Sequence, residues 1–381
     1  MDQRLDKDSE LAIDALRGIA ALMVLFCHAF ELGVSEVFGW DPTQTPGLWR
    51  FARASLGNGD FWVWCFFAVS GLCIHRSIAR SILERRFSWW SYSLARLTRI
   101  YPLFLLGFLL AVLAWSLGLE FGSGEVKPAP WPQLAATLLN LQLLTSPFPN
   151  FGPSWSLTCE VVYYAVWPLA LLLMGGRVNR AAGLTMISTL SLTAGILLMW
   201  RVFHRMESST LVDGIYIMSV LFPIWIAGAW AGGLWESLKI SRAQWFLGLL
   251  LCLLVIVMEW ILRYKSYPVW GRHLTSWGAI PGLILVLAGC HHLRFSSLKG
   301  AQAVCRWLGQ LSYPCYILHI PLLVLVKEAV ELMMPTAAAD HPVLLTALET
   351  LLLVLLLAAI GPRLERFFMS WRASFLKAVR S

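Results

Sequence analysis

Long apolar segments recur along the whole chain and are separated by short polar stretches. Each segment has about 17 to 23 mainly apolar residues, which is enough for an α-helix rising about 1.5 Å per residue to cross ~30 Å of hydrocarbon. The pattern therefore predicts an all-α polytopic membrane protein with about ten transmembrane helices. The predicted segments are residues 12–32, 61–79, 100–119, 155–175, 182–203, 214–233, 244–262, 274–290, 309–327 and 343–361.

Residues 131–145 form a shorter apolar stretch that contains Asn140 and Gln142 and is bordered by prolines, Pro130 and Pro147 among them. Proline interrupts helices, and amide side chains are costly in hydrocarbon unless they find partners. We expect this stretch to be interfacial or re-entrant rather than a transmembrane helix. The sequence leaves those two alternatives open.

Positive charge indicates how the helices are oriented. Lys and Arg concentrate in alternate connections, and the segments on the same side as the N-terminus hold most of the 30 basic residues. Such an excess marks the cytoplasmic side of a membrane protein. We therefore predict that both termini are cytoplasmic. Asp14 and Arg17 lie within the first apolar segment, which argues against a cleaved signal peptide.

The composition excludes several classes of protein. With 58% hydrophobic and 14% charged residues, the chain falls far below the ~25% charge of a soluble domain. The net charge of +8 is divided among separate loops, so no nucleic-acid partner is expected. The eight cysteines are scattered without a C-x-x-C pair, and no metal site is expected. A single membrane domain over residues 1–381, with its core at 11–361 and no fused soluble domain, is predicted.

Three ionisable residues lie along one stripe of the first predicted helix. At ~100° per residue, Arg17 lies about 20° from His28, and Asp14 lies about 40° from it. An ionisable side chain at membrane depth costs at least ~2.5 kcal/mol, so each is a candidate for function. The alternative is that Asp14 and Arg17 pair locally and that His28 hydrogen-bonds a neighbouring helix.

Glu160 lies one to two turns inside the fourth predicted helix, at about the depth of His28. A carboxylate at that position can hold an imidazole in one tautomer, which is the arrangement that a general base needs. Ser156 lies one turn earlier on the same face. The alternative is a carboxylate favoured by the helix dipole, with Ser154 as the N-cap.

Two further groups are candidates for binding. Arg96 and Arg99 share a helix face at the predicted cytoplasmic surface, where guanidinium groups suit phosphates. Simple anchoring of the helix end explains the same pattern. His319 stands between Pro314 and Pro321 at mid-membrane depth, either as a functional group or as a structural partner of the backbone carbonyls that proline frees.

Several of these segments together resemble the acyltransferase 3 family, integral-membrane relatives of bacterial surface-polysaccharide O-acetylases. The resemblance runs in order from about residue 11 to 360. The family often has an acidic residue two positions before a Phe-Phe pair, where this chain has Trp64 and has Asp60 one turn earlier. The resembling segments are Ile13 to Arg17 leading to His28, Phe66 to Gly71, Arg96 to Pro102, Pro153 to Leu157 with Glu160 and Tyr164, and Leu311 to Tyr313 with Tyr316, Leu318, His319 and Pro321.

The resemblance implies transfer of an acyl group, commonly acetyl, from cytoplasmic acyl-CoA to a hydroxyl of an extracytoplasmic glycan or lipid-linked saccharide. Acyl-CoA would be a donor substrate rather than a permanently bound cofactor, and the expected location is a bacterial inner membrane. Arg96 and Arg99 would hold the CoA head group, and Arg17 would mark the inner half of its channel. His28, supported by Glu160, would take the hydroxyl proton. A transient acyl-histidine is the alternative.

Two other functions stay open at this point. One is a multi-span transporter of an envelope precursor or small solute, because proline breaks and buried charges are also typical of transporters. Related halves with matching broken helices, the signature of many transporters, are not found. The other is an inactive scaffold of an envelope-assembly complex. The sequence determines neither the acceptor nor the acyl chain nor the oligomeric state.

Overall fold

The computed structural model describes residues 6–38, 47–119, 131–202, 210–234, 239–265 and 269–379. Within these ranges all regular secondary structure is helical. The α-helices are α1 (Lys7–Phe38), α2 (Gly47–Leu56), α3 (Gly59–Leu83), α4 (Trp89–Ser116), α5 (Trp131–Leu138), α6 (Trp155–Leu173), α7 (Val178–Val202), α8 (Thr210–Leu234), α9 (Arg242–Tyr264), α10 (Val269–Ala288), α11 (Lys299–Met333), α12 (Pro335–Asp340) and α13 (Pro342–Ala378).

The predicted fold class is confirmed, because each of the ten predicted segments coincides with one of the long helices. Three of those helices extend well beyond the apolar segments that predicted them. α4 begins at Trp89 against the predicted 100. α11 covers Lys299–Met333 against the predicted 309–327, and α13 covers Pro342–Ala378 against the predicted 343–361. Apolar residues mark only the part of a helix that needs lipid or core around it, and a helix continues through polar residues on either side.

In the described ranges, eight helices are long and apolar enough to cross a membrane by themselves. A ninth arises if the bent pair Thr275–Ala288 and Cys290–Ser297, which meet at 46°, forms one span. α11 is not among them. Its central turns contain Pro314, His319 and Pro321, and they are buried by other helices rather than exposed to lipid.

The first and last long helices run antiparallel. Gly33, late in α1, lies against Thr346, early in α13. The start of α1 and the end of α13 therefore lie at the same end of the bundle, as the prediction for the two termini requires. That this end is cytoplasmic stays a prediction. We refer to it below as the N-terminal end.

The stretch at 131–145 does not form a transmembrane helix, as predicted. Its only helix, α5, has 8 residues, or about 12 Å of length. The turns after it point polar side chains inward, where Gln142 Nε2 donates to Asn140 Oδ1 at 2.8 Å and to the Ser154 carbonyl at 2.6 Å. These bonds attach the stretch to the residues that lead into α6.

Glycines allow the closest helix contacts in the bundle. A Cβ built on Gly71 of α3 would overlap the carbonyl oxygen of Trp225 in α8, and one built on Gly228 of α8 would overlap the backbone of Ala68 in α3. Helix association inside a membrane depends on such close packing, because lipid is as apolar as the helix surface. α1 and α11 meet in the same way at Gly18, which lies against the backbone of Leu308.

Gly71→Ala is expected to destabilise the protein by about 1–3 kcal/mol, because the backbone of α8 cannot yield to the added methyl without separating the helices. The measurement is the melting temperature in mild detergent. Gly195→Ala in α7 is the matched control, since its Cβ would meet nothing within 4 Å, and it should be neutral or slightly stabilising. Equal melting temperatures for the two variants would contradict the close contact between α3 and α8.

Candidate functional site

A cavity of about 190 Å³ lies among α1, α3, α4, α6 and α11. Most of its wall is apolar, and its polar groups come from helices that are far apart in the sequence. Six residues singled out from the sequence therefore lie together around one space. They are Arg17, Arg96, Arg99, Ser156, Glu160 and Tyr164.

Arg17 lines the cavity from α1 and makes no hydrogen bond or ion pair with any residue that the structure describes. The local pair with Asp14, one of the alternatives from the sequence, is not present. Asp14 lies instead against α11, where its carboxyl group is within 2.6 Å of a Cβ built on Gly309. The Arg17 guanidinium is therefore available to a ligand.

Arg96 lies on the first turns of α4, at the N-terminal end of the bundle. Its Nη2 donates to Ser77 Oγ at 3.2 Å, and its guanidinium lies over the ring of Tyr92 at 5.5 Å. Its Nε is buried without a hydrogen-bond partner. None of these contacts neutralises the charge, so Arg96 retains its capacity to bind an anion.

Arg99 has a carboxylate partner that the sequence did not indicate. It donates to both oxygens of Glu365 in α13, at 2.7 and 3.1 Å, and lies over the ring of Tyr313 at 5.2 Å. A two-pronged contact of this kind is geometrically specific. An anionic ligand in the cavity would have to compete with Glu365 for this guanidinium.

Glu160 belongs to a hydrogen-bonded cluster on the cavity wall. Tyr164 Oη donates to its Oε2 at 2.9 Å and lies 3.1 Å from Ser70 Oγ of α3, which accepts from Trp225 Nε1 at 3.3 Å. Glu160 and Tyr164 lie one turn apart on α6, so the pair follows from helix geometry. Ser70 was not a candidate from the sequence, although it lies in one of the resembling segments, just before Gly71.

The far wall of the cavity is formed by Tyr316 of α11 together with Phe66 of α3. Their rings meet edge to face with centroids 5.1 Å apart. The Tyr316 hydroxyl lies 2.7 Å from Ser156 Oγ and donates to the Pro153 carbonyl at 3.1 Å. This wall separates the cavity from the next turn of α11, which carries His319.

His28 lies beyond that wall and pairs with His319. His28 Nδ1 is 3.1 Å from His319 Nε2 and 3.0 Å from the Val24 carbonyl oxygen, and the two rings have centroids 5.1 Å apart. Neither histidine lines the cavity described above. The alternative from the sequence in which His28 hydrogen-bonds a neighbouring helix is therefore realised, with α11 as that helix.

The predicted contact between Glu160 and His28 is wrong. Glu160 uses its carboxylate on Tyr164, and no hydrogen bond between Glu160 and His28 exists in the described structure. The reason is an offset along the helix axes. Ser156 and Tyr316 lie at the same level. Glu160 lies one helical turn from Ser156 in one direction, and His319 lies one turn from Tyr316 in the opposite direction. Glu160 and His319 are therefore separated by roughly 10 Å along the helix axes.

No group of three or more His, Cys, Asp or Glu side chains in the described ranges is placed to hold a metal ion. The arrangement instead offers guanidinium groups, hydroxyls and a carboxylate around a narrow space, with a pair of imidazoles beyond its far wall. Guanidinium groups suit anionic ligands, and an imidazole suits proton transfer.

Comparison with known proteins agrees with the resemblance found in the sequence. Residues 10–361 match a family model described as an acyltransferase domain. The chain is also similar to a Rhizobium radiobacter protein named "Protein 2 in picA locus", with 27% identity over 171 residues, which is 41% of this chain and 80% of that protein. No solved structure matches.

Cys73 provides a probe of the cavity. It lines the cavity and is exposed, whereas the other cysteines are buried. We expect a small maleimide to add once to the folded protein in mild detergent, at Cys73, as measured by intact-protein mass spectrometry. Cys73→Ser should abolish the adduct and Cys305→Ser should leave it. Similar reaction rates at several cysteines would contradict the described cavity.

Proposed function

The chain belongs to the acyltransferase 3 family, and we propose that it transfers an acyl group, acetyl in the simplest case, from cytoplasmic acyl-CoA to a hydroxyl of an extracytoplasmic glycan or lipid-linked saccharide. Family membership makes it an integral-membrane acyltransferase. The donor, the acceptor and the residue roles below are our proposal. The observation that carries it is the cavity, which gathers Arg17 and Arg96 at one end and stops at Tyr316, one turn from the His28–His319 pair.

The size of the cavity favours a narrow donor. At about 190 Å³ it is smaller than the ~300–1,000 Å³ typical of small-molecule sites. The pantetheine arm of CoA is thin enough for such a space, whereas its nucleotide is not. In this proposal the phosphates stay at the N-terminal end against Arg96, the arm passes Arg17, and the thioester reaches the wall formed by Phe66 and Tyr316.

Glu160 takes a different role from the one predicted. Its carboxylate accepts from Tyr164 and belongs to the cavity wall, so we propose that this cluster lines the path of the donor rather than assisting His28. Ser156 and Tyr316 bring hydroxyl groups to the end of that path. A hydroxyl that turns from the Pro153 carbonyl toward the thioester would stabilise the oxyanion that forms when the thioester carbonyl is attacked.

His28 is proposed as the general base. It would take the proton of the acceptor hydroxyl while the hydroxyl oxygen attacks the thioester carbonyl, forming a C–O bond. The C–S bond then breaks, and the departing CoA thiolate takes that proton from the imidazolium. Because Tyr316 separates the cavity from the histidines, the thioester must pass the Tyr316 side chain to reach this base.

The orientation of the bundle supports a donor that enters from the N-terminal end and an acceptor that enters from the opposite end. Basic residues of α3, α4 and α13 gather at the N-terminal end, as expected of a cytoplasmic surface. We propose that this end faces the cytoplasm of a bacterium, where acyl-CoA is available. His28 lies ~16 Å farther along α1 than Arg17, toward the side on which an envelope glycan is found.

His28→Ala is expected to reduce acetyl transfer at least 10²-fold, because a positioned general base contributes about that much. The measurement is transfer of radiolabelled acetyl from acetyl-CoA to envelope material in isolated membranes. His75→Ala is the matched control, since His75 is a buried histidine of α3 outside the cavity, and it should retain transfer. Normal transfer by His28→Ala would exclude His28 as the base. Solute transport without acyl-CoA consumption would support the transporter instead.

Three variants that each remove one charge distinguish CoA binding from anchoring of the helix end. Arg96→Gln should weaken CoA binding about tenfold, since a hydrogen bond to a charged group is worth ~1.5–3 kcal/mol. Arg99→Gln should weaken it too. Glu365→Gln breaks the same ion pair as Arg99→Gln but frees the guanidinium, so CoA affinity should hold or rise. Calorimetry in detergent and protection of Cys73 from maleimide measure the affinity.

The melting temperature provides the control for that series, because Arg99→Gln and Glu365→Gln remove the same contact between α4 and α13. We expect similar losses of stability in these two variants and different CoA affinities. Unchanged CoA affinity in Arg96→Gln and Arg99→Gln would show that neither residue binds CoA and that both only anchor the helix end.

A further inference from the structure

We propose that His319 is a positioning residue that holds His28 in the tautomer protonated at Nδ1, which leaves Nε2 of His28 as its basic nitrogen. The catalytic meaning of this assignment rests on the proposed function, but the assignment itself follows from hydrogen bonding. Neutral imidazole has one N–H donor and one acceptor nitrogen, so each partner of a ring nitrogen restricts where the proton is.

The protonation of His319 follows from two backbone carbonyls. Its Nδ1 lies 2.8 Å from the Tyr316 oxygen and 3.1 Å from the Cys315 oxygen. A carbonyl oxygen can only accept, so Nδ1 must carry the proton. In the neutral ring Nε2 is then an acceptor, and this nitrogen faces His28.

The protonation of His28 has support from its own helix. Its Nδ1 lies 3.0 Å from the Val24 carbonyl oxygen, which favours an N–H at Nδ1. The carbonyl already accepts the backbone N–H of the helix, so this contact by itself does not require that proton. The same Nδ1 lies 3.1 Å from His319 Nε2. A donor on His28 therefore meets an acceptor on His319, and the assignments made from the two helices agree.

Burial makes a neutral His319 the expected state. His319 is 1% exposed in the centre of α11, and removing a charged group from water into an apolar surrounding is costly. A charged His319 would also have an N–H at Nε2, which would face the N–H at Nδ1 of His28. Two donors at 3.1 Å repel, so the neutral ring is the one that fits.

The carboxylates near His28 pair with an arginine rather than with His28 Nδ1. Asp60 of α3 and Glu31 of α1 both pair with Arg263 of α9, at 2.5 and 3.8 Å. These charged groups face the His28 end of α1, and the ion pairs engage them with one another. Among the side chains that the structure describes, His319 lies at Nδ1 of His28, where a carboxylate would stand in other histidine-dependent enzymes.

The consequence for catalysis concerns the charge that develops on His28. When Nε2 takes the hydroxyl proton, the imidazolium still donates from Nδ1 to His319 Nε2 and to the Val24 carbonyl. A neutral acceptor stabilises that charge less than a carboxylate does, but it costs no buried counter-charge when His28 is neutral. Without His319 the preference for the Nδ1-protonated tautomer weakens, and part of the population loses its basic Nε2.

The decisive experiment is nitrogen-15 NMR of the full chain, labelled at histidine and reconstituted in lipid nanodiscs. Protonated and unprotonated ring nitrogens have well-separated shifts, and a difference spectrum against His28→Gln identifies the His28 signals. The expected wild-type result is a protonated Nδ1 and an unprotonated Nε2. A protonated Nε2 on His28 would overturn the proposal, and this measurement needs no variant at position 319 to fold.

Two substitutions then test His319 itself. His319→Leu removes the acceptor and should shift His28 toward the Nε2-protonated tautomer, while His319→Gln places an amide oxygen near the old Nε2 and should restore the wild-type pattern. His75→Leu is the control for loss of a buried histidine and should leave the His28 signals unchanged. An unchanged His28 tautomer in His319→Leu would also overturn the proposal.

The kinetic readout follows the same series. His319→Leu should lower kcat for acetyl transfer roughly 10²-fold with an unchanged KM for acetyl-CoA, and His319→Gln should recover most of that loss. A purely structural role would lower the yield of folded protein and would not favour Gln over Leu in kcat alone. If the NMR result is as expected and His28→Ala is still active, the tautomer assignment stands and the proposed role of His28 as general base fails. If the NMR result is as expected and the wild type transfers no acetyl, the assignment stands and the proposed function fails.

Discussion

The contact between α1 and α11 is the constraint on which the rest of the site depends. Gly18 lets the backbone of α1 lie directly on that of α11 at Leu308. His28 follows Gly18 by ten residues, and His319 follows Leu308 by eleven, so two parallel helices in this register bring the imidazoles to the same level. Their hydrogen bond is a result of how closely the two backbones approach.

The cavity and the histidine pair lie on opposite sides of a single turn of α11. Tyr316 faces the cavity and reaches α6 through Ser156, whereas His319 faces α1. Both side chains need partners because unpaired polar groups are costly inside a membrane. One turn of α11 thereby separates the cavity from the imidazole pair, and a ligand that passes from one to the other has to displace the Tyr316 side chain.

Of the four charged side chains around the cavity, two have a partner within the protein and two lack a carboxylate partner. Arg99 is held by Glu365, and Glu160 is held by Tyr164. Arg17 and Arg96 lack a carboxylate partner in the described ranges. An ionisable group that stays uncompensated at membrane depth is expensive, and the attraction of an anionic ligand offsets that cost when the ligand is bound.

The sequence alone determined the helices and their approximate positions, because the thickness of hydrocarbon sets the length of an apolar segment. Within such a helix, the position of a residue in the sequence also gives its approximate depth in the membrane. It also singled out Arg17 and Glu160, since an ionisable residue in an apolar segment is visible without any partner, and Arg96 just before such a segment. It could not determine which side chains meet. The partner of His28 is His319 rather than Glu160, and the partner of Arg99 is Glu365, 266 positions away. Those pairs depend on how each helix is rotated about its axis and on which helix lies beside it. Rotation and order are decided by the close backbone contacts that glycines such as Gly18 and Gly71 permit, and these contacts exist only in the packed bundle.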